Sequence, residues 1–235
     1  MAESLYDEAL NNMEAILGKL ESRVPRPRLI EHQGTMVFRY VEKSCHQALV
    51  QKLARVVTGL HAARLLMQNG FVQEQAAIQR MLDEFHEDIN FLALALIKND
   101  LTPLHNRYLD AFYQEEFDAP TAFESTQKRE MVSREKIRAY VSRSDLAGTD
   151  PSTGAELSRT INKTYSGFVH GASPQIMDMY GGSPPRFNVR GMRGTVRQEE
   201  FRFDLWNYFF RSIIAFALAA KAFGEDALFD EIREY

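Results

Sequence analysis

Cysteine is almost absent from this chain of 235 residues: Cys45 stands alone. An intramolecular disulfide is thereby excluded, and so is any zinc site built on paired thiolates. A single thiol suits a reducing compartment. The opening Ala2-Glu3-Ser4-Leu5-Tyr6-Asp7-Glu8 has neither the basic nor the apolar region of a secretory signal, so a cytoplasmic location is expected. Long apolar runs are missing too. The most apolar stretch, Ser212 to Ala220, is closed by Arg211 and Lys221. It falls well short of the roughly 20 residues that cross a bilayer, so it reads as a buried core helix and no membrane partner is expected. Nor is there a large excess of one charge. A net charge of -4 argues against wholesale attraction to nucleic acid or anionic lipid, while leaving room for a local basic patch.

Several catalytic signatures are missing as well. There is no Gly-x-Ser-x-Gly elbow, no P-loop and no dinucleotide fingerprint. Cys45 lies on an apolar helical stripe, where a buried thiol is inert. A di-iron bundle needs two Glu-x-x-His motifs and two further glutamates. Only Asp83-x-x-His86 approximates one of them, so neither a metal site nor a cofactor is expected.

What the chain has is helical periodicity in an ordinary globular composition, 45% hydrophobic and 26% charged. Residues 3–22 read as a first helix that ends before Pro25-Arg26-Pro27. Phe38, Val41, Cys45, Leu49, Leu53, Val56, Leu60, Ala63 and Met67 recur by threes and fours, close to the helical period. They predict one helix of about 33 residues ending at Asn69-Gly70. A second begins near Phe71, carries Ile78, Leu82, Phe85, Ile89, Leu92 and Leu96, and stops at Lys98-Asn99-Asp100. With almost no connection between them, the two form an αα-hairpin. Shorter helices follow at about 103–117, 133–144 (Ser133 as N-cap) and 153–170, then a long one at 197–223 and a short acidic one at the end. Five glycines and three prolines within residues 171–196 mark a long loop, the length at which loops tend to be functional. No internal repeat and no β-type alternation is visible. The expected fold is all-α, an antiparallel helical bundle built on the long hairpin. Residues 1–30 would be an N-terminal helical arm, and residues 31–235 one domain.

The chemistry gathers at one helix end. On a helical wheel of residues 157–170, Leu157, Ile161 and Phe168 share a side, with Tyr165 at its edge. Arg159, Lys163, Ser166 and His170 gather opposite, as two cations, a hydroxyl and an imidazole suited to a phosphate. His170 is the candidate acid/base, because its ordinary pKa of about 6.5 lies near neutrality. The same pattern also describes a solvated face whose histidine merely closes a helix. Arg80 and Glu84 stand at i,i+4 and can pair. Arg186, Arg190, Arg193 and Arg197 are interleaved with glycine in the loop, where guanidinium forks suit phosphate oxygens; the alternative is a loop anchored on acidic helices. Phe201, Phe203, Trp206, Tyr208, Phe209, Phe210 and Phe216 read as core or dimer interface.

Three of these segments carry a resemblance. The run Lys52-Leu53-Ala54-Arg55 through Leu65-Leu66-Met67-Gln68-Asn69-Gly70, the segment Gln79-Arg80-Met81-Leu82-Asp83-Glu84, and Tyr165-Ser166-Gly167-Phe168-Val169-His170-Gly171 resemble a bacterial all-helical family of unknown function, over roughly residues 36–182. More distantly the chain resembles HEPN domains, helical bundles of toxin–antitoxin and phage-defence systems, some of which are ribonucleases. Catalytic HEPN domains carry Arg, four to six residues, then His. Here ten residues separate Arg159 from His170, and Lys163, at the right distance, lacks the arginine fork.

The resemblance therefore implies a degenerate centre with His170, Lys163 and Ser166 in catalytic positions. Arg159 and Lys163 would bind phosphate of RNA or a nucleotide, with Arg186, Arg190 and Arg193 adding contacts; a further reading is a small-molecule or nucleotide-phosphate pocket between the Arg80/Glu84 and His170 faces. The alternative is a non-enzymatic interaction protein acting as a homodimer through its aromatic C-terminal helix, with the loop docking a partner protein.

Overall fold

The computed structural model describes residues 2–115, 117, 119, 121, 123–126, 129–143 and 165–234. The chain is predominantly helical. Helix α1 spans Ala2–Glu21, α2 Cys45–Asn69, α3 Val72–Ile97, α4 Pro103–Tyr113 and α5 Arg134–Ser142. A single helical turn over 165–169 is α6. Then come α7 Ser173–Met177, α8 Val196–Ala222 and α9 Asp226–Glu234. Two antiparallel strand pairs interrupt the helices: β1 Arg28–His32 with β2 Thr35–Arg39, and β3 Tyr180–Gly181 with β4 Arg186–Phe187. Among the described residues, no helix is long and apolar enough to cross a membrane.

The αα-hairpin forms as its periodicity predicts. Lys52 meets Asp88, Gly59 packs on Leu82 and Arg55 reaches Met81, so α3 descends as α2 rises. A Cβ at Gly59 would lie 2.8 Å from Leu82 Cδ2, so the small residue lets the helices close together. Helix α2 starts later than expected, at Cys45, where the Ser44 hydroxyl accepts from the His46 N–H at 3.2 Å. Phe38 and Val41 only mimic the helical stripe: both are exposed, Phe38 as part of β2. The absence of β-structure expected from the sequence is corrected here. The β1–β2 turn is Gln33-Gly34, both at positive φ, the backbone that suits a two-residue hairpin. Its alternation is invisible because Leu29, Ile30, Met36 and Phe38 are exposed on both faces.

The expected N-terminal arm contributes to the core instead. Tyr6, Ala9, Leu10, Met13 and Leu20 of α1 are buried in the same cluster as Leu53, Leu60, Phe91 and Phe216. Each large apolar side chain buried in this way adds about 1.5–3 kcal/mol of transfer free energy. Helix α8 lies beside α3 and runs parallel to it, since Gln75, Asp83 and His86 meet Phe201, Tyr208 and Ser212 in rising order.

The long segment expected as a loop is a structured excursion stapled to the α2–α3 turn. Met192 N–H donates to Gly70 O at 2.7 Å, Arg193 donates to Gln68 O and Asn69 Oδ1, and Gln198 Nε2 donates to Met67 O. These bonds satisfy carbonyls that a helix C-terminus leaves open. The contact needs glycine at two places. Gly70 closes α2 at φ 74, where a Cβ would stand 2.5 Å from Arg193 N. Gly191, at φ 97, lies directly against Asn69 O.

Candidate functional site

Four polar residues of α3, Gln75, Gln79, Asp83 and His86, follow one another at helical spacing and are all buried against α8. Each finds a partner there. Gln75 Nε2 donates to Phe201 O at 2.8 Å, and Gln79 Nε2 to Asp204 Oδ2 at 3.1 Å. Asp83 pairs with Arg211 at 2.7 Å and accepts from Tyr208 Oη at 3.3 Å. His86 Nε2 lies 2.8 Å from Ser212 Oγ. The Ser212 hydroxyl spends its proton on Tyr208 O at 2.7 Å, so it accepts from His86, which is therefore the Nε2–H tautomer.

Burial sets the titration of this seam. It raises Asp83 above the ordinary carboxylate range, although Arg211 pulls the other way. It pushes His86 down to about 3, with the positive Arg211 adding to the effect, so the imidazole is neutral near pH 7. Tyr165 and Tyr208 are raised by burial and then by the aspartates beside them. The hydrogen bonds leave Gln75 Oε1, Gln79 Oε1 and His86 Nδ1 buried without partners among the described residues.

The helix end singled out in the sequence opens onto this seam. Tyr165 Oη donates to the Asp204 carboxylate, and Phe168 packs edge-on against Phe201 at 5.7 Å. Phe168 thus packs inward as the wheel predicts, and so does Tyr165. Ser166 is half-buried, and His170 is exposed with no side-chain hydrogen bond among the described residues. Arg159 and Lys163 lie outside the described residues, so their place beside His170 is not part of this geometry.

Arg80 pairs with Glu84 at 2.8 Å at the edge of the seam, and its Nη1 is buried without a hydrogen-bond partner among the described residues. Neither residue hydrogen-bonds or ion-pairs with Ser166 or His170. The loop arginines divide. Arg193 and Arg197 hold the excursion together, Arg197 through Asp178 and Glu200. Arg186 and Arg190 are exposed and make no ion pair among the described residues.

The seam gathers Gln79, Asp204, Tyr208 and Arg211, none of which sequence reading had placed in the site. The signal was a polar row at positions 75, 79, 83 and 86, which in sequence resembles any solvated helix face. Among the described residues, no group of three histidine, cysteine or acidic side chains is arranged to hold a metal ion. The comparisons with models of known protein families, with curated proteins and with solved structures found no match.

Proposed function

We propose that the protein is a helical interaction protein that pairs with a second copy of itself through α8. The observation that carries this reading is an uncovered apolar stripe. Val196 (78% exposed), Phe203 (78%), Trp206 (39%), Phe210 (58%) and Ile214 (44%) all lie within an arc of about 80° on that helix. At about 200 Å² per aromatic side chain, the three rings alone leave roughly 350 Å² in water. That is comparable to the largest apolar patch of a typical monomer, about 300–600 Å², and such patches mark interaction sites. The steps from Val196 to Phe203 and from Phe203 to Phe210 are seven residues, the repeat by which two helices keep a common seam. Glu199 lies within the same arc and pairs at 3.5 Å with Arg202 just beyond its edge, so the stripe carries one ion pair at its N-terminal end.

Sedimentation velocity tests this reading. The wild-type chain is expected to run as a dimer at micromolar concentration. Phe210→Asp is expected to raise the dissociation constant at least about 100-fold, the effect of losing a central aromatic anchor. Because Phe210 is outside the core, the variant should keep its helical circular dichroism. A wild-type chain that stays monomeric at 50–100 µM (roughly the range where even weak specific dimers form) refutes the reading.

A second reading rests on Arg186, Arg190 and His170, which are exposed and make no ion pair among the described residues, in the segment that also carries Ser166. They support a phosphate-bearing ligand, RNA or nucleotide, bound at a degenerate HEPN-like centre. Single-stranded RNA binding, followed by fluorescence anisotropy, should weaken with rising salt, because counterions are released from the phosphates. Replacing both Arg186 and Arg190 by Ala should weaken it roughly tenfold. Any RNA cleavage should vanish in His170→Ala. Salt-independent binding, or cleavage unchanged in that variant, rules the centre out.

A further inference from the structure

A cleft lies at the opposite end of α2 from the structured excursion. It is bounded by the β1–β2 hairpin, residues 40–43 and the end of α4, with a volume near 820 Å³. Helix α2 has 25 residues, so about 36 Å of helix separates the two ends. We propose that this cleft binds a small organic anion with a flat aromatic body.

Its walls are aromatic. Phe38 and Tyr40 come from the hairpin side, and Phe112 and Tyr113 from α4. Tyr113 Oη is tied to Ser44 O at 2.8 Å, and its ring meets that of Phe112 edge-on at 4.9 Å, so this wall is preset. Rings held by packing offer stacking surface at little entropic cost. The volume falls within the range of about 300–1,000 Å³ occupied by small-molecule sites.

The charge of the cleft selects an anion. Arg39, Lys43 and Arg129 line it against a single carboxylate, Glu115. Arg39 grips Glu115 with two hydrogen bonds of 2.7 and 2.9 Å, which hold that acid and neutralise it. Arg129 donates to the uncharged Gln114 O and makes no ion pair among the described residues. Lys43 makes no hydrogen bond or ion pair among the described residues and is exposed at the cleft. Among the described lining residues, three cations therefore face one carboxylate beside four aromatic rings. The smaller pocket between α1, α8 and α9 has the opposite balance, with Glu231 and Glu234 against Lys19.

Isothermal titration calorimetry on the full chain tests the proposal with two matched pairs: indole-3-acetate against tryptophol, and AMP against adenosine. At least one anion is expected to bind with a sub-millimolar Kd, and its uncharged counterpart at least tenfold more weakly. Which anion binds separates a carboxylate from a phosphate ligand. Lys43→Glu should weaken that binding tenfold or more with little change in the unfolding midpoint, because Lys43 is exposed and makes no hydrogen bond or ion pair among the described residues. Phe38→Ser, also at an exposed position, should weaken it independently of charge. The proposal is overturned if neither anion binds at millimolar concentration, if anion and neutral partner bind alike, or if Lys43→Glu binds as the wild type does. None of these outcomes depends on α8 pairing or on the Arg186–Arg190 segment.

Discussion

Replacing Asp88 with Ala is expected to destabilise the protein by about 3–5 kcal/mol, the usual effect of removing one partner from a buried ionic group. Asp88 is 1% exposed and sits where three helices meet. Its carboxylate accepts from Lys52 Nζ of α2 at 2.7 Å and from Arg134 Nη1 of α5 at 2.6 Å. Lys52 is enclosed as well, with its ammonium about 5 Å from the rings of Phe85 and Phe112. Without Asp88 that cation keeps its desolvation cost and loses its counter-charge.

Arg134 retains Glu87 at 3.7 Å and Glu84 at 4.0 Å, which holds the loss toward the lower end of the range. It is the first residue of α5, a helix of nine residues and too short to persist undocked, so α5 should loosen along with it. Urea denaturation gives the size of the effect, and hydrogen exchange in α5 gives its place. Asp88→Leu combined with Lys52→Met should recover part of the loss, because it removes the charges in pairs. A loss below 0.5 kcal/mol in Asp88→Ala, about the level of an ordinary surface change, would mean that this network does not hold the helices together.

Acid should unfold the protein through His86 well before its carboxylates titrate fully. The imidazole is held down to about 3 in the folded chain by burial and by Arg211, against an ordinary value of 6.5. Between those values the unfolded chain binds a proton that the folded chain refuses. The stability is therefore fully present above pH 6.5, falls as the pH drops below it, and levels off near pH 3. The slope is about 1.4 kcal/mol per pH unit for one proton, so about 2–3 kcal/mol should be lost between pH 6.5 and 4.5. His105 and His46 are also lowered by burial and add in the same direction. Asp83 opposes them. Its folded pKa is raised, so protonation favours the folded chain as the pH falls toward it. Denaturant melts at several pH values give the slope, and His86→Gln should reduce it by about one proton while leaving a donor for Ser212. An identical slope in that variant would show that His86 is not the acid-sensitive group.

The helices were legible in the sequence because their signal is local. The spacing of Leu49, Leu53, Val56 and Leu60 reports one helix face whatever packs against it. The same rule misled at Phe38 and Val41, which sit three and four residues apart by chance and lie outside α2. A two-stranded hairpin exposed on both faces has no alternation to read, so only its Gln33-Gly34 turn could have disclosed it. The inertness expected of Cys45 agrees with its burial, which pushes the thiol up to about 11.

The aromatic helix shows where sequence stops. Phe201, Phe203, Tyr208, Phe209 and Phe210 are alike as letters, and reading them as core or interface was as far as composition could go. Packing divides them: Phe201, Tyr208 and Phe209 are buried, while Phe203 and Phe210 are left in water. The arginines divide in the same way: Arg193 and Arg197 are bound into the fold, while the exposed Arg186 and Arg190 make no ion pair among the described residues.

By itself, the sequence determined a predominantly helical chain and the hairpin of α2 and α3. Only the tertiary structure decided that Tyr165 joins a buried seam with Asp204, that His170 faces outward, and that the polar row of α3 is buried. The reason is physical. Helical periodicity depends on neighbours within four residues, whereas the burial and pairing of a charge depend on helices more than a hundred residues away along the chain.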